Sequence, residues 1–358
     1  MKALRTLGPM NNSRSAPIEN MKRIAFVTGA AGFLGRHVVT ELLLQGWDVT
    51  AMVRGQTPDW LARTQVKVVQ GHLDNLDDVQ KGMPDAADAV FHLAANISMW
   101  RGEREAIDRD NIKAARNVFT VAQAKGARRI VMTSTLGVFN THLGPVNEDS
   151  PLKKADDTNP YLRSKLAADR LLDDAAQHGL TVVSLHPSHL LGAHDRSGWV
   201  SLFDQACANQ LRAAPRGCAS FCSARAVAQA HIAAATHPNP RRRYVLGGAQ
   251  ASYLELFAAI AKRVGARPVT KTMPNLALHL TATVSGWISA VTGKKPTMTP
   301  GLAEILTGQM LADTQAAIEE LGYWTRPLDA LLDETHQDWA KQAGARGSQS
   351  RSTASVAR

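Results

Sequence analysis

Glycines 29, 32 and 35 lie where an apolar run, Ile24–Thr28, gives way to a stretch with helical spacing, and this junction constrains the chain more than any other feature. In Val27-Thr28-Gly29-Ala30-Ala31-Gly32-Phe33-Leu34-Gly35, Gly29 permits a tight turn and Gly32 lets the backbone approach a pyrophosphate. Gly35 lets the helix pack close to the strand. The helix amino terminus then offers unpaired N–H groups and a favourable dipole to an anion. The first gap is one residue longer than in the usual dinucleotide fingerprint. What gives the triplet its meaning is its place, after the first strand of an alternating β/α run.

That alternation continues downstream. Val49–Val53, Val66–Val69, Ala89–Leu93, Ile130–Thr133 and Thr181–Leu185 read as strands. Helical spacing covers Gly35–Gln45, about Ile107 to Lys125, and Pro160–His178. Strands separated by helices, with no hairpin signal between them, imply parallel strands joined by right-handed crossovers. After about Leu190 the rhythm breaks: Tyr244–Leu246 is short, Tyr253–Val264 is helical, and helix and loop follow to Trp339. The expectation is an α/β chain with a Rossmann-type, doubly wound parallel sheet over 22–190, joined by a later strand or helix near 215–240. A smaller, mostly helical substrate lobe over 191–340 interleaves with it and closes a cleft over the strand ends.

Charge supports that division. The net +10 resembles a nucleic-acid signature, but residues 1–23 and 341–358 each carry +4, leaving +2 for the body. Both ends are also polar, so 1–21 and 341–358 read as disordered basic segments, and no nucleic-acid partner is expected. Cys207, Cys218 and Cys222 are too few and wrongly spaced for a disulfide framework, and the first twenty residues contain no apolar signal core. A cytoplasmic protein is expected. Leu276–Val291, interrupted by His279, Thr281, Thr283, Ser285 and Ser289, falls short of a ~20-residue span. It reads as an amphipathic or buried helix, with contact at a membrane surface as the alternative and no integral segment.

Two further positions carry chemistry. The second strand ends at Val53-Arg54, where an NAD site normally places an acid to hold the ribose 2′-hydroxyl. A guanidinium there can bind a 2′-phosphate, and Asp48 lies too early to replace the acid, so NADP(H) is expected over NAD(H). Tyr161 and Lys165 stand four apart on one helix face, with Asn159-Pro160 as a start signal. A phenol near its ordinary ~10 must be lowered to exchange protons at neutral pH, and a nearby ammonium, helped by oxidised nicotinamide, does this. Thr133-Ser134-Thr135 puts hydroxyls at the end of the Ile130 strand, and the residues alone do not choose between Ser134 and Thr135.

Together these residues resemble the extended short-chain dehydrogenase/reductase family, within the NAD-dependent epimerase/dehydratase superfamily, and its dihydroflavonol-reductase-like and 3β-hydroxysteroid-dehydrogenase-like branch. The segments TGAAGFLG, AMVRG, GHLDN, VFHLAA, that around Asn111, MTSTLGVF, YLRSK, LHPSHLLG and RRRYVLGG carry the likeness across roughly residues 22–340. The resemblance implies that Tyr161 is the proton donor, that Lys165 binds the nicotinamide ribose, and that Thr135 occupies the catalytic Ser/Thr position. It implies Asp74, with Leu73, at the adenine, and Leu93, Ala94 and Ala95 along the cofactor. Phe33 and Leu34 would meet it in the glycine loop, and Pro187 and His189 would lie beside the nicotinamide. A small carbonyl or alcohol substrate and a homodimer are implied as well. The chain departs from the family at Ser223-Ala224-Arg225-Ala226-Val227-Ala228, where acids of a V-D-V-R-D-V-A segment are usual; those acids are structural, so lobe packing is what their loss affects.

Sharper alternatives remain. His186, His189 and His194 lack metal-ligand spacing and any Cys or Glu cluster, so no metal is expected. An NAD-dependent nucleotide-sugar epimerase or dehydratase would use the same Tyr and Lys, but Arg54 and the apolar Leu276–Val291 stretch argue for a lipophilic carbonyl instead. A non-catalytic NADP-binding redox sensor is the third reading, and the presence of both Tyr161 and Lys165 speaks against it.

Overall fold

The computed structural model describes residues 22–154, 158–196 and 198–356, those beyond 344 by backbone alone. Short runs rich in branched residues form strands, and helices link them. β1 (Ile24–Thr28), α1 (Phe33–Leu44), β2 (Asp48–Val53), α2 (Asp59–Ala62), β3 (Lys67–Gln70) and α3 (Leu76–Gly82) wind in one direction. The chain then crosses back to β4 (Ala89–His92) and runs through α4 (Arg104–Ile107), a π-helical turn (Asp108–Lys113), α5 (Ala114–Ala124), β5 (Arg129–Thr133), α6 (Pro160–Gln177) and β6 (Thr181–Pro187). Next come β7 (His189–Leu191), α7 (Gly198–Cys207), β8 (Cys218–Ser223), α8 (Ala224–Thr236), β9 (Arg243–Leu246), β10 (Ala249–Ser252) and α9 (Tyr253–Arg263). α10 (Asn275–Thr292), α11 (Pro300–Thr307), β11 (Gln309–Met310), α12 (Gln315–Leu321) and α13 (Leu328–Val356) complete the order.

Seven parallel strands form the main sheet in the order β3-β2-β1-β4-β5-β6-β9. Both faces are covered, which is why strands such as Ala25-Phe26-Val27 are apolar throughout instead of alternating. On one face Val38, Val39 and Leu42 of α1 meet Ala226, Val227 and Ala230 of α8. On the other, Val79, Val118, Phe119 and Leu172 come from α3, α5 and α6. The direction of winding reverses between β1 and β4, so their carboxyl ends part to leave a crevice.

Several expectations need correction. The helix read as continuous from about Ile107 to Lys125 contains the π turn, because Asn111 is drawn inward to Asn96 and Ser164. Of the later strand or helix expected near 215–240, α8 covers the main sheet, whose late strand is β9, whereas β8 belongs to a second sheet with β7, β10 and β11. Close backbone contact allows this pairing: a Cβ on Gly248 would lie 2.2 Å from the Phe221 carbonyl oxygen. The lobe therefore carries a small four-stranded sheet beside its helices, around a core of Phe203, Phe221, Tyr253, Leu256 and Leu332. The segment 341–358, expected to be disordered, is helical through Val356, because α13 is anchored by buried Leu331, Leu332 and Thr335 and its Ala, Gln, Lys and Arg residues sustain the helix. The expected disordered leader, 1–21, lies outside the described residues. In the departing segment, Ser223 caps α8 and Arg225 reaches Glu41 of α1 at 2.8 Å, so a new ion pair joins these helices.

Asp169 ties α6 to the far side of the sheet. Its carboxylate, 1% exposed, accepts from Arg243 at 2.8 Å and from Arg242 at 3.4 Å. Burial works to raise this carboxyl, but His186, Arg242 and Arg243 hold it below its ordinary value. A depressed acid contributes stability above its unfolded value of about 4 and loses it as pH falls through the lower folded one. Asp169→Ala, which leaves two half-buried guanidinium groups only the more exposed Asp173, is expected to cost about 2 kcal/mol in urea unfolding at neutral pH, with the difference from wild type shrinking in acid.

Candidate active site

At the end of β1 the backbone is crowded. Gly29 has φ +73°, and a Cβ there would lie 2.6 Å from the Ala94 nitrogen at the end of β4. A Cβ on Gly35 would lie 2.0 Å from the Gly29 carbonyl oxygen. The loop thus closes on itself and leaves the amino end of α1 facing the crevice. Gly32 is the N-cap, no side chain caps the helix, and its first turn has no acid. Uncapped N–H groups and an unopposed dipole suit a phosphate.

Two adjoining cavities of about 590 and 460 Å³ form one cleft, sharing the walls Gly29, Gly32, Leu93, Ala95 and Ile97. The larger holds Arg54, Leu73, Asp74, Ala94, Asn96 and Asp110. Arg54, mostly exposed, lies 3.5 Å from Asp110, which also pairs with Arg109 at 3.1 Å. Arg109 in turn lies 3.9 Å from Asp74. Leu73 is fixed through its carbonyl, which accepts from Asn117 at 2.9 Å.

The smaller cavity holds Phe33, Leu34, Gly35, Ser134, Thr135, Tyr161, Lys165, Pro187 and His189. Asn159 caps α6 by accepting from the Leu162 N–H, and Pro160 begins it, which sets Tyr161 and Lys165 on the face turned to β5. Lys165 Nζ donates to the Thr133 carbonyl at 2.8 Å. Thr135 Oγ1 accepts from the Gly137 N–H at 3.3 Å and shares the cavity with the Tyr161 phenol. The π turn supports the pair from behind: Asn111 donates to Ser164 Oγ at 2.8 Å, and Ser164 donates to the Tyr161 carbonyl at 2.7 Å.

Burial governs the protons here. It lowers Lys165 to about 8. It pushes Tyr161 up to about 12, against a smaller downward pull from Thr135. The expected lowering of Tyr161 by Lys165 is therefore not a property of the protein alone; the ammonium is directed at the Thr133 carbonyl, and the phenol keeps its proton. Three buried histidines surround the end of β5, and burial holds each neutral, His92 at about 3 and His186 and His231 at about 4. His189, also held at about 4 by burial, meets the Tyr253 hydroxyl at 2.8 Å.

All the residues expected at catalytic and cofactor positions line this cleft, but they do so in two groups. The three histidines considered for a metal do not converge: His186 bonds Ser184, His189 bonds Tyr253 and His194 faces Asp338. The apolar Leu276–Val291 stretch, expected to favour a lipophilic carbonyl, does not line the cleft, so the apolar wall beside Tyr161 is not built from it. That wall comes from Met99, Trp199, Ile305 and Met310, on segments whose arrival here has no local signal.

With this geometry in view, comparison with known proteins is informative. Residues 25–247 match the family model described as the NAD-dependent epimerase/dehydratase family. The chain is 30% identical over 334 residues to a Synechocystis protein provisionally named dihydroflavonol 4-reductase, spanning 89% of this chain and 95% of that one. It is 35% identical over 182 residues to the 2-alkyl-3-oxoalkanoate reductase of Shewanella oneidensis, spanning 48% of this chain and 46% of that one. Among solved structures, gox2253 superposes with a TM-score of 0.77 at 22% identity, covering 90% of this chain and 99% of that one. MoeE5, solved with UDP-glucose and NAD, gives 0.70 at 23%, covering 89% and 99%. At these identities the structural likeness is one of fold.

Since a methyl group on Gly35 has only backbone to displace, Gly35→Ala must move α1 away from the loop. The expected outcome is a loss of stability of about 1–3 kcal/mol in chemical denaturation, together with loss of dinucleotide binding by nicotinamide fluorescence.

Proposed function

This chain belongs to the NAD-dependent epimerase/dehydratase family, and on that premise we propose that it is an NADP(H)-dependent oxidoreductase interconverting a carbonyl and a secondary alcohol on a small apolar substrate. One observation carries the reading. Around Tyr161 the cavity is walled by Ile97, Met99, Leu162, Trp199, Ile305 and Met310, and among the described residues Lys165 is the single lining residue with a full charge. A nucleotide-sugar carries two phosphate charges that require cations on the substrate side, and this wall offers none. A flat or aliphatic carbonyl compound fits it.

The residues divide the work. The glycine loop and the uncapped end of α1 take the pyrophosphate, with Phe33 and Leu34 in the first turn. Leu73 and Asp74 meet the adenine, Ala94 and Ala95 line the path, and Pro187 and His189 lie at the nicotinamide end. Bound there, the nicotinamide supplies or accepts the hydride. Lys165 gives one N–H to Thr133 and keeps two for the ribose hydroxyls. Tyr161, protonated at neutral pH, gives its proton to the carbonyl oxygen as the carbon is reduced, with the Thr135 hydroxyl in the same cavity as a second donor to that oxygen. In the oxidative direction the phenol must first lose its proton, and the positive charge that allows this arrives with the oxidised cofactor.

The cofactor preference rests on Arg54. Its present partner, Asp110, is shared with Arg109, so a 2′-phosphate can replace that carboxylate at the guanidinium. NADPH is expected to bind about tenfold more tightly than NADH in fluorescence titration, with the margin lost in Arg54→Ala and widened in Asp110→Asn. Equal binding of the two cofactors by wild type would remove this assignment.

For the chemistry, Tyr161→Phe is expected to lower kcat/KM for carbonyl reduction by about 10³-fold while leaving NADPH affinity nearly unchanged. Burial lowers Lys165, so its charge is complete well below pH 8 and lost above it. Reductive kcat/KM should accordingly be level near neutrality and fall through a midpoint of about 8. An activity that rises across that range would contradict the role given to the ammonium.

A further inference from the structure

α10 is built the wrong way round for a helix in water. Asn275–Thr292 contains no Asp, Glu, Lys or Arg. Its inward side is narrow, with Leu278 and Ala282 resting on Ala303 of α11. Outward it shows Leu276, Leu280, Val284, Trp287, Ile288 and Val291, with Val291 88% and Trp287 75% exposed. These positions follow a helical repeat, so they form one stripe about 22 Å long. The area is on the order of several hundred Å², at or beyond the largest apolar patch of an ordinary monomer. Among the described residues no helix is long and apolar enough to cross a membrane.

The ends of the stripe point to what covers it. Lys271 precedes α10, and Lys294 and Lys295 follow its Gly293 cap. Lys295 meets Glu103 at 3.1 Å, which brings alongside a segment in which Arg101 and Arg104 are balanced by Glu103 and Glu105. An uncharged apolar face with cations at its margins complements a bilayer whose headgroups are anionic: the side chains enter the acyl boundary and the cations meet phosphate. We infer that α10 docks this protein on an anionic phospholipid surface, its stripe lying in the plane of the interface.

The position of the helix relates docking to the cleft. α11, on which α10 rests, carries Ile305 of the cleft wall. At the other end, Glu103 joins Lys295 to the segment holding Ile97 and Met99, also on that wall. A lipid-dissolved substrate would therefore meet the mouth of the cleft beside the docked helix.

Co-sedimentation of the full chain with phosphatidylcholine vesicles, with and without phosphatidylglycerol, tests this. Wild type is expected to partition about tenfold more strongly to vesicles with phosphatidylglycerol. Trp287→Ser/Ile288→Ser should abolish binding, and Lys294→Gln/Lys295→Gln should remove the preference for anionic lipid, both with unchanged melting temperature because the side chains face solvent. Three results would overturn the inference. One is absence of binding to either vesicle. Another is full binding by both variants, which would assign it to the basic ends of the chain. The third is a lipid-free dimer, seen by light scattering, that Trp287→Ser/Ile288→Ser converts to monomer, which would assign the stripe to a second copy. None of these readouts involves turnover, so failure here leaves the proposed reaction untouched.

Discussion

The cleft depends on backbone meeting backbone at the end of β1. Gly29 turns with positive φ against Ala94, and Gly35 packs against Gly29 itself, so two chain segments and a helix end occupy a space that one side chain would fill. This closeness lets α1 begin without a capping side chain and still point its amino end into the crevice. It also sets the distance between β1 and β4 at the switch point, and with it the gap through which a dinucleotide can pass. Among the described glycines, Gly35 has the least room for a side chain.

A second constraint holds the reacting groups still. Hydrogen bonds run from the sheet edge to the cleft in a fixed direction. Arg242, held by Asp169 and Asp173, donates to Ser184; Ser184 donates to His186; and His186 donates through Nδ1 to the Thr135 carbonyl at 3.4 Å. On the neighbouring strand side, His231 donates to the Val227 carbonyl, so its Nε2 must accept from the Thr133 hydroxyl at 2.7 Å. Each tautomer is dictated by a carbonyl that can only accept. Because burial keeps these rings neutral, they orient the strand end without adding charge, and Lys165 is left as the local cation. In the proposed mechanism that isolation matters, since a second cation nearby would further lower Lys165 and bring its loss of charge into the working pH range.

How much of this could be read from the sequence follows from how local each cause is. The glycine triplet, the strand–helix rhythm and the spacing of Tyr161 and Lys165 act over a few residues, and they were legible. The π turn was not, because it arises from Asn111 reaching Ser164 on another helix, 53 positions away. β9 looked like a fragment because its four residues are too few for a period to show, yet its register with β6 completes the sheet. Trp199, Ile305 and Met310 reach the cleft only after the lobe has folded. α10 was open for a different reason: its apolarity fitted an amphipathic or buried helix and a membrane surface alike, and here the stripe faces outward. Hydrophobic pattern reports which residues avoid water, not which surface they avoid it against.

On the proposed function, the two halves of the cleft work by different physics. At the Arg54 end, Asp74, Arg109 and Asp110 form a mobile balance of charge near solvent, where salt screens each interaction and small energies decide between similar anions. At the Tyr161 end, selection is by shape and desolvation, with one ammonium inside an apolar wall. A substrate bearing fixed charge would lose hydration there without recovering it, and an apolar one loses nothing. Cofactor choice can therefore drift through single surface substitutions, while a change of substrate class would require rebuilding the wall that α7, α11 and β11 bring together.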